Sequence, residues 1–247
     1  MITIKTEQEI EYMRQAGAVL RQIHQELRAM IKPGVTGMML NQRAEEIIAA
    51  HNCQPNFKGL YGFPAAICVS LNTVLVHGIP NNVPFQAGDL VSIDAGCAYK
   101  GYNSDGAFTV IVGNEANPKH VKLLTVTETA LTKAIAILKP DVRIGDIGAV
   151  IQTYVEGEGF YLPTEFTGHG IGRALHEEPM IPNVGVVGTG MRLQAGMTIC
   201  IEPMVQIGTK AIKMLSDGWT PVSALGLGSA HFEHTILITK TGSEILT

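Results

Sequence analysis

Two aspartates lie inside apolar, strand-like stretches of the sequence, where aspartate is uncommon. Asp94 and Asp105 belong to two such stretches that are joined by Lys100-Gly101, a pair typical of a two-residue turn. Counting outward from this turn pairs Gly96 with Asp105, so Asp94 is expected on the same face as Asp105, about 7–8 Å away between Cα atoms. Facing carboxylates repel each other unless a proton or a cation lies between them. The pattern favours a metal site, and two exposed aspartates on an edge hairpin are the alternative.

The same pattern recurs later in the chain. Glu202 and Glu233 each lie in an apolar, strand-like stretch, and His169 stands between two glycines, where the backbone can approach a ligand closely. Four carboxylates and one imidazole suit two borderline divalent ions such as Mn, Fe, Co or Zn. A single structural zinc would instead use closely spaced cysteine and histidine ligands, which this sequence lacks. We therefore expect one site built from four strands, two from each half of the chain.

Two further histidines have a context that indicates an active site. His77 precedes Gly78-Ile79-Pro80, and His176 precedes a Glu-Glu-Pro segment only seven residues after the predicted ligand His169. An ordinary loop or core position is the alternative for each. Three of the other histidines are interpreted as lying on helix surfaces: His24, His51 and His120. The remaining two, His231 and His234, flank Glu233 and are candidate hydrogen-bond partners of the metal ligands.

The elements that must position these residues are predicted in a repeated order. Apolar residues at helical spacing predict helices over 6–31, 40–51, 118–138 and 144–156. Strands are predicted over 65–77, 90–99, 102–112, 165–169, 197–206, 211–215 and 231–239. Lys32-Pro33 and Lys139-Pro140 end the first helix of each pair, 107 residues apart. This repeat indicates two similar α-α-β halves, roughly 1–113 and 114–247, within a single catalytic domain, and a coincidence of common helix stops is the alternative.

Composition and charge exclude several classes of protein. The 247 residues carry a net charge of −4, and no run rich in lysine and arginine predicts nucleic-acid binding. Apolar stretches are shorter than the ~18–20 residues that a membrane span needs, and no apolar stretch follows a basic start as in a signal peptide. The four cysteines have apolar neighbours and no CxxC pairing, which predicts buried, reduced thiols in a cytoplasmic protein: Cys53, Cys68, Cys97 and Cys200. A thiolate nucleophile is the alternative for them, although no partner histidine is evident.

Seven segments, in order and spread over essentially the whole chain, resemble the type I methionine aminopeptidases. Any one of them would be a weak signal, but the ordered set is highly specific. The segments are Val76-His77-Gly78-Ile79-Pro80, Ser92-Ile93-Asp94, Asp105 eleven residues on, Gly168-His169-Gly170-Ile171-Gly172, His176-Glu177-Glu178-Pro179, Ile201-Glu202-Pro203-Met204 and Phe232-Glu233-His234-Thr235.

The resemblance implies a fold and a reaction. The fold is the α/β pita-bread fold, in which two pseudo-twofold-related α-α-β halves surround a central antiparallel sheet. The implied function is removal of the initiator methionine from nascent polypeptides whose second residue is small. In that family a hydroxide that bridges two divalent metal ions (Co, Mn, Fe or Zn) attacks the scissile carbonyl. A monomer is expected, with no nucleic-acid or membrane partner, and contact with the ribosome is left open.

The resemblance also implies a role for each site residue. Asp94 and Asp105 would bind one metal, Asp105 and Glu233 would bridge to the second, and His169 and Glu202 would complete the second site. Glu202 would also accept the proton of the attacking water. His77 would hydrogen-bond the scissile amide, and His176 would stabilise the tetrahedral oxyanion. The methionine pocket would include Phe63, Cys68 and Trp219, with Phe57, Leu60 and Leu175 at further pocket positions but of types that differ from the family's usual ones.

Two other functions remain as alternatives. A relative of the same fold that cleaves before proline usually has a sizeable extra N-terminal domain, whereas only about 90 residues precede Asp94 here. A non-catalytic binding relative would typically have lost metal ligands, whereas all five are present in this sequence.

Overall fold

The computed structural model describes residues 2–114 and 117–247, and four α-helices occur in those ranges. Thr6 begins the first helix with a reciprocal capping box to Glu9, and Thr36 caps the second through the N–H of Met39. Asn117 caps the third ahead of a proline in its first turn. The helices are α1 (Glu7–Met30), α2 (Gly37–Ala50), α3 (Pro118–Ala136) and α4 (Ile144–Gly157).

Thirteen strands are described, and all of their pairings are antiparallel. They are β1 (Gln54–Pro55), β2 (Ile67–Leu71), β3 (Leu90–Tyr99), β4 (Tyr102–Ile111), β5 (Gly168–Gly170), β6 (Glu177–Ile181), β7 (Thr198–Ile201), β8 (Met204–Gln206), β9 (Ile212–Met214), β10 (Pro221–Ser223), β11 (Ser229–His231), β12 (Glu233–Ile238) and β13 (Ser243–Ile245).

Nine of these strands form one sheet in the order β1-β3-β4-β12-β7-β5-β6, with β2 paired to β3 and β13 paired to β12. All four helices contact this sheet: α1 packs on β3 and β4, α2 on β1 and β2, α3 on β4 and β7, and α4 on β6. Leu20, Ile23 and Leu27 on α1 are fully buried against it. The predicted α/β class with a central antiparallel sheet is therefore observed.

The predicted register of the β3–β4 hairpin is confirmed. Tyr99 pairs with Tyr102 across the turn, Gly96 pairs with Asp105, and Asp94 lies opposite Ala107. Asp94 is therefore the diagonal neighbour of Asp105 on one face of the sheet.

Other predicted strands were wrong in extent. The strand expected over 197–206 is interrupted at Glu202 and Pro203, because proline has no N–H for the strand ladder, and it forms β7 and β8 instead. The strand expected over 65–77 ends at Leu71, before the positive φ of Asn72. No strand was predicted after His176, but Glu177–Ile181 forms β6 on the edge of the sheet.

The four cysteines are free and buried, as predicted. No helix in the described part of the chain is both long and apolar enough to cross a membrane.

Candidate metal centre

One cleft of about 210 Å³ brings together the five predicted metal ligands. Asp94 and Asp105 come from β3 and β4, His169 from β5, and Glu233 from the start of β12. Glu202 occupies the break between β7 and β8, where Pro203 removes the chain from the ladder. Its backbone carbonyl accepts a hydrogen bond from Nδ2 of Asn183 at 3.0 Å, which fixes this break. The five side chains therefore converge from distant parts of the sequence.

The His169 ring has a defined tautomer. Nδ1 lies 2.9 Å from the carbonyl oxygen of Gly170, so Nδ1–H is the donor in that bond. The lone pair of Nε2 then faces the carboxylates, 3.5 Å from Oε1 of Glu202 and 3.7 Å from Oδ2 of Asp105. Burial lowers the pKa of His169 to about 4, so the ring is neutral at neutral pH. A neutral imidazole oriented through its other nitrogen is the usual form of a metal-binding histidine.

The acidic side chains are destabilised as anions by their surroundings. Burial raises the pKa of Asp94 to about 6. Burial and then the charge of Glu233 raise the pKa of Asp105 well above its usual range, and burial and then Glu202 do the same for Glu233. Burial and then Asp94 raise the pKa of Glu202. Without a compensating cation this environment favours the protonated forms of these groups, and a divalent ion would replace those protons.

Unpaired oxygen atoms show that the donor set fits a metal. Oδ1 of Asp94 and Oε1 of Glu233 are buried and have no hydrogen-bond partner among residues 2–114 and 117–247. Such atoms are costly unless a ligand satisfies them. The possible ligand atoms form two groups, and within each group all atoms lie within 4.8 Å of one another. The first group is Asp105, His169, Cys200 and Glu233, and the second is Glu202, His231 and Glu233.

These two groups differ from the predicted ligand set at two residues: they include Cys200, which was not predicted, and they omit Asp94, which was. The Cys200 thiol has a pKa well above its usual range because of burial and the charge of Glu233, so it stays protonated and is a poor ligand. Asp94 belongs to neither close group, although its carboxyl lies within hydrogen-bonding reach of that of Asp105.

The two predicted catalytic histidines line the same cleft. His77 has a φ of +58°, uncommon for a residue other than glycine, and its ring packs edge-on against Phe166. The next residue must be small, because a Cβ at Gly78 would lie 2.3 Å from the carbonyl oxygen of Val69. The ring of His176 lies perpendicular to that of His169, with 4.5 Å between centroids.

The other end of the cleft is apolar. Phe63 and Trp219 contact each other edge-to-face at 5.2 Å between ring centroids, and Cys68 lies beside them. The further pocket positions named from the sequence, Phe57, Leu60 and Leu175, also line the cleft. Sequence analysis missed Tyr61, which is 79% exposed at the cleft and has a φ of +49°. The only sequence signal for it was its place beside Gly62.

The remaining histidines separate into distinct environments. His231 is buried with Nε2 3.6 Å from Oε2 of Glu202, whereas Nδ1 of His234 bonds to the Thr247 hydroxyl. The surface interpretation of His24 was wrong: its Nε2 donates to the Gly106 carbonyl and its ring packs on Phe108 in the sheet. His51 is exposed, in agreement with the same interpretation, and His120 is half-buried in the first turn of α3.

Sequence and structure comparisons agree on one set of relatives. The chain matches metallopeptidase family M24 over residues 11–240. A methionine aminopeptidase from Mycoplasma capricolum is 53% identical over 247 residues, which cover 100% of this chain and 98% of that protein. The crystal structure of methionine aminopeptidase from Thermotoga maritima has a TM-score of 0.98 at 46% identity and covers 100% of this chain and 99% of that one.

A more distant relative confirms the fold. Prolidase from Pyrococcus furiosus has a TM-score of 0.79 at 25% identity, over 99% of this chain but only 65% of the prolidase. The predicted pita-bread fold is confirmed by these neighbours.

Proposed function

The chain belongs to metallopeptidase family M24, and from that premise we propose that it removes the N-terminal methionine of polypeptides whose second residue is small. The observation that supports this most directly is the composition of the cleft. Its apolar end contains Phe63, Cys68 and Trp219, and its polar end contains the carboxylate and imidazole cluster. A methionine side chain suits the apolar end, because sulfur makes favourable contacts with aromatic rings.

Five residues would hold two divalent ions: Asp94, Asp105, His169, Glu202 and Glu233. Such ions would lower the pKa of a water molecule and polarise the scissile carbonyl. The donor set of four carboxylates and one imidazole is compatible with Co, Mn, Fe or Zn.

The protein side chains have separate tasks in this proposal. The Glu202 carboxylate accepts the proton of the attacking water, and its raised pKa brings it closer to the range in which a base works at neutral pH. Burial lowers the pKa of His77 to about 4 and also lowers that of His176, so both rings are neutral and each offers one N–H. His77 donates to the scissile amide, and His176 donates to the carbonyl oxygen as negative charge develops there.

Cleavage before proline is the main alternative, since prolidases share the fold. The test is an assay of the metal-loaded protein on Met-Ala-Ser, Met-Gly-Ser and Ala-Pro peptides, with Co, Mn, Fe and Zn supplied separately. We expect release of free methionine from the first two peptides. Activity on the Ala-Pro peptide without methionine release would overturn the proposal and favour the alternative.

A matched pair of variants separates site chemistry from general effects in the same assay. Asp105→Asn removes a central carboxylate and should abolish methionine release. Asp141→Asn changes an exposed aspartate, 80% exposed at its side chain, and should leave release unchanged. Equal activity of both variants would contradict the role of Asp105 in a metal-dependent site, whereas no activity in any metal would favour a non-catalytic binding protein.

We propose that the substrates are nascent chains and that the enzyme acts on them in the cytoplasm, as a monomer. Sedimentation of the purified protein alone tests whether it is a monomer. Sedimentation of the protein with ribosomes tests whether it binds them.

A further inference from the structure

We propose that His231 is an additional metal ligand, so that the centre has an imidazole on each side of the Glu202 carboxylate. This inference rests on the metal-dependent function proposed above. Neither the five-residue ligand set nor the two catalytic histidines includes His231.

The two imidazoles stand in matching positions about Glu202. Nε2 of His169 lies 3.5 Å from Oε1, and Nε2 of His231 lies 3.6 Å from Oε2 of the same carboxylate. Nε2 of His231 also lies 3.9 Å from Oε2 of Glu233, much as Nε2 of His169 lies 3.7 Å from Asp105. His231 therefore lies at similar distances from two carboxylates, Glu202 and Glu233, as the predicted ligand His169 does from Glu202 and Asp105.

These distances suit shared coordination better than direct hydrogen bonding. A charged or neutral N–H···O bond requires about 2.7–3.2 Å between heavy atoms, and both His231 distances are longer. Two donors that each lie about 2.0–2.2 Å from one ion are separated by roughly 3–3.5 Å in common geometries. Small side-chain adjustments on binding would bring His231 and the carboxylates to that spacing.

Nε2 of His231 has no other partner in the part of the chain that the structure describes. The side chain is 2% exposed, and Nε2 is a buried nitrogen without a hydrogen bond. Oε1 of Glu233 is likewise buried and unpaired. A shared metal ion would satisfy both of these buried atoms, and a buried polar atom is costly while it stays unsatisfied.

The backbone holds His231 firmly in this position. His231 pairs with Met204 across β8 and β11, just beyond Glu202. Its N–H donates to Oγ1 of Thr109 at 2.9 Å, and the Thr109 hydroxyl donates to its carbonyl at 2.8 Å. Oγ of Ser92 lies 2.8 Å from the same hydroxyl. Such preorganised placement is expected of a ligand rather than of a mobile cleft residue.

A second imidazole changes what the centre prefers to bind. Imidazole suits Fe and Zn, whereas carboxylate and water suit Mn. We therefore expect the native centre to discriminate against Mn more strongly than a centre with one imidazole.

The test compares His231→Gln with His234→Gln as a matched control, because His234 lies three residues away but bonds to Thr247. Metal-free protein is titrated with Co²⁺ by calorimetry and by visible absorption. We expect His231→Gln to weaken one of two equivalents by about 10- to 100-fold and to change the absorption bands. The control should match the native protein. Unchanged affinities and bands in His231→Gln would overturn the proposal, even if turnover fell.

A measurement on the native protein covers the case in which the variant does not fold. Proton NMR of the Co²⁺-loaded protein shows ring N–H protons of bound histidines as strongly shifted, exchangeable signals. Two such signals are expected, from His169 and His231, and a single signal would overturn the proposal. Because neither readout uses peptide hydrolysis, failure to release methionine would reject the proposed function separately.

Discussion

The hydroxyl of Thr235 on β12 completes the backbone hydrogen bonding of Asp105 on β4. The Asp105 N–H donates to Oγ1 of Thr235 at 3.0 Å, and the same hydroxyl donates to the Asp105 carbonyl at 2.8 Å. The β4–β12 ladder itself pairs Glu233 with Ala107 and His234 with Gly106. Thr235 thus extends the pairing by a side chain and fixes the strand positions of two ligands, Asp105 and Glu233, relative to each other.

Thr235→Val should therefore destabilise the protein without changing the shape of the side chain. Valine leaves the buried N–H and carbonyl of Asp105 without partners, at a cost of about 1–3 kcal/mol for an unsatisfied group. Urea unfolding measures the loss, and Co²⁺ titration should show weaker binding as Asp105 shifts. Thr235→Ser restores the hydroxyl and should recover most of the stability. The exposed Thr132→Val is the control, and an equal effect of the two valine variants would contradict this role.

His77→Ala should slow turnover strongly and leave the metal content intact. The ring lies in the cleft but is not among the predicted metal ligands, and loss of one such donor typically costs about 10²–10³ in kcat. Elemental analysis and a Met-Ala-Ser assay on the same sample measure both quantities. His51→Ala, at an exposed position after α2, should behave as the native protein. Metal loss in His77→Ala would refute the role assigned to this residue.

Glu202→Gln keeps the shape of the side chain but removes its ability to take a proton as a carboxylate. Turnover at saturating metal should fall by about 10²–10⁴ if Glu202 is the base. Saturating metal is needed because weaker ion binding is also expected. Glu156→Gln, on the exposed side of α4, supplies the control. Near-normal turnover in Glu202→Gln would remove Glu202 from the proton-transfer step.

Rules for the local structure of turns and strands were enough to predict that Asp94 and Asp105 lie close together on one face of the sheet. The two-residue turn and the alternation of side chains along strands gave the register of Asp94 and Asp105, which the structure confirms. The same alternation distinguishes His231, two residues from Glu233, from His234, which directly follows Glu233. Applied to these two histidines, the alternation of side chains along a strand would have predicted that only His231 faces the site.

What local rules missed depends on contacts between distant segments. The bond between Thr235 and Asp105 joins residues 130 positions apart, so neither neighbourhood reveals it. The break at Pro203 places Glu202 outside the ladder, although its sequence surroundings resemble a continuous strand. His24 has the periodicity of a half-exposed helix position, and only packing of α1 on the sheet buries its ring.

Trp219→Leu should reduce discrimination between methionine and norleucine, which has a CH₂ group in place of sulfur. Sulfur–aromatic contacts contribute about 0.3–1.5 kcal/mol, so the ratio of kcat/KM for Met-Ala-Ser over norleucine-Ala-Ser should fall by about 2- to 10-fold. Tyr161→Leu, at an exposed position outside the lining of the cleft, is the control. An unchanged ratio in Trp219→Leu would place this residue outside the methionine pocket. As the only tryptophan, Trp219 should also report methionine binding by fluorescence.

His24 should make the protein sensitive to acid through its buried ring. Burial, and then the neighbouring His234, lower the pKa of His24 to about 3, while the bond to the Gly106 carbonyl opposes the shift and Arg28 adds to it. The unfolded chain has the ordinary histidine pKa of about 6.5. Between these values the unfolded state binds more protons, so the contribution of His24 to stability is complete above pH 6.5 and is lost as pH falls toward 3.

Between the two pKa values, the contribution of His24 to the free energy of unfolding changes by about 1.4 kcal/mol per pH unit. This slope gives a loss of stability of about 2 kcal/mol between pH 6.5 and pH 5. His24→Gln removes the titrating group. The difference in free energy of unfolding between this variant and the native protein should therefore shift by about 2 kcal/mol in favour of the variant from pH 7.5 to pH 5. Taking this difference cancels the opposite contribution of the metal-centre carboxylates, which both proteins share. Urea unfolding of the metal-free proteins measures it, with His51→Gln as the exposed control. A difference that does not vary with pH would show that folding does not lower the pKa of the His24 ring.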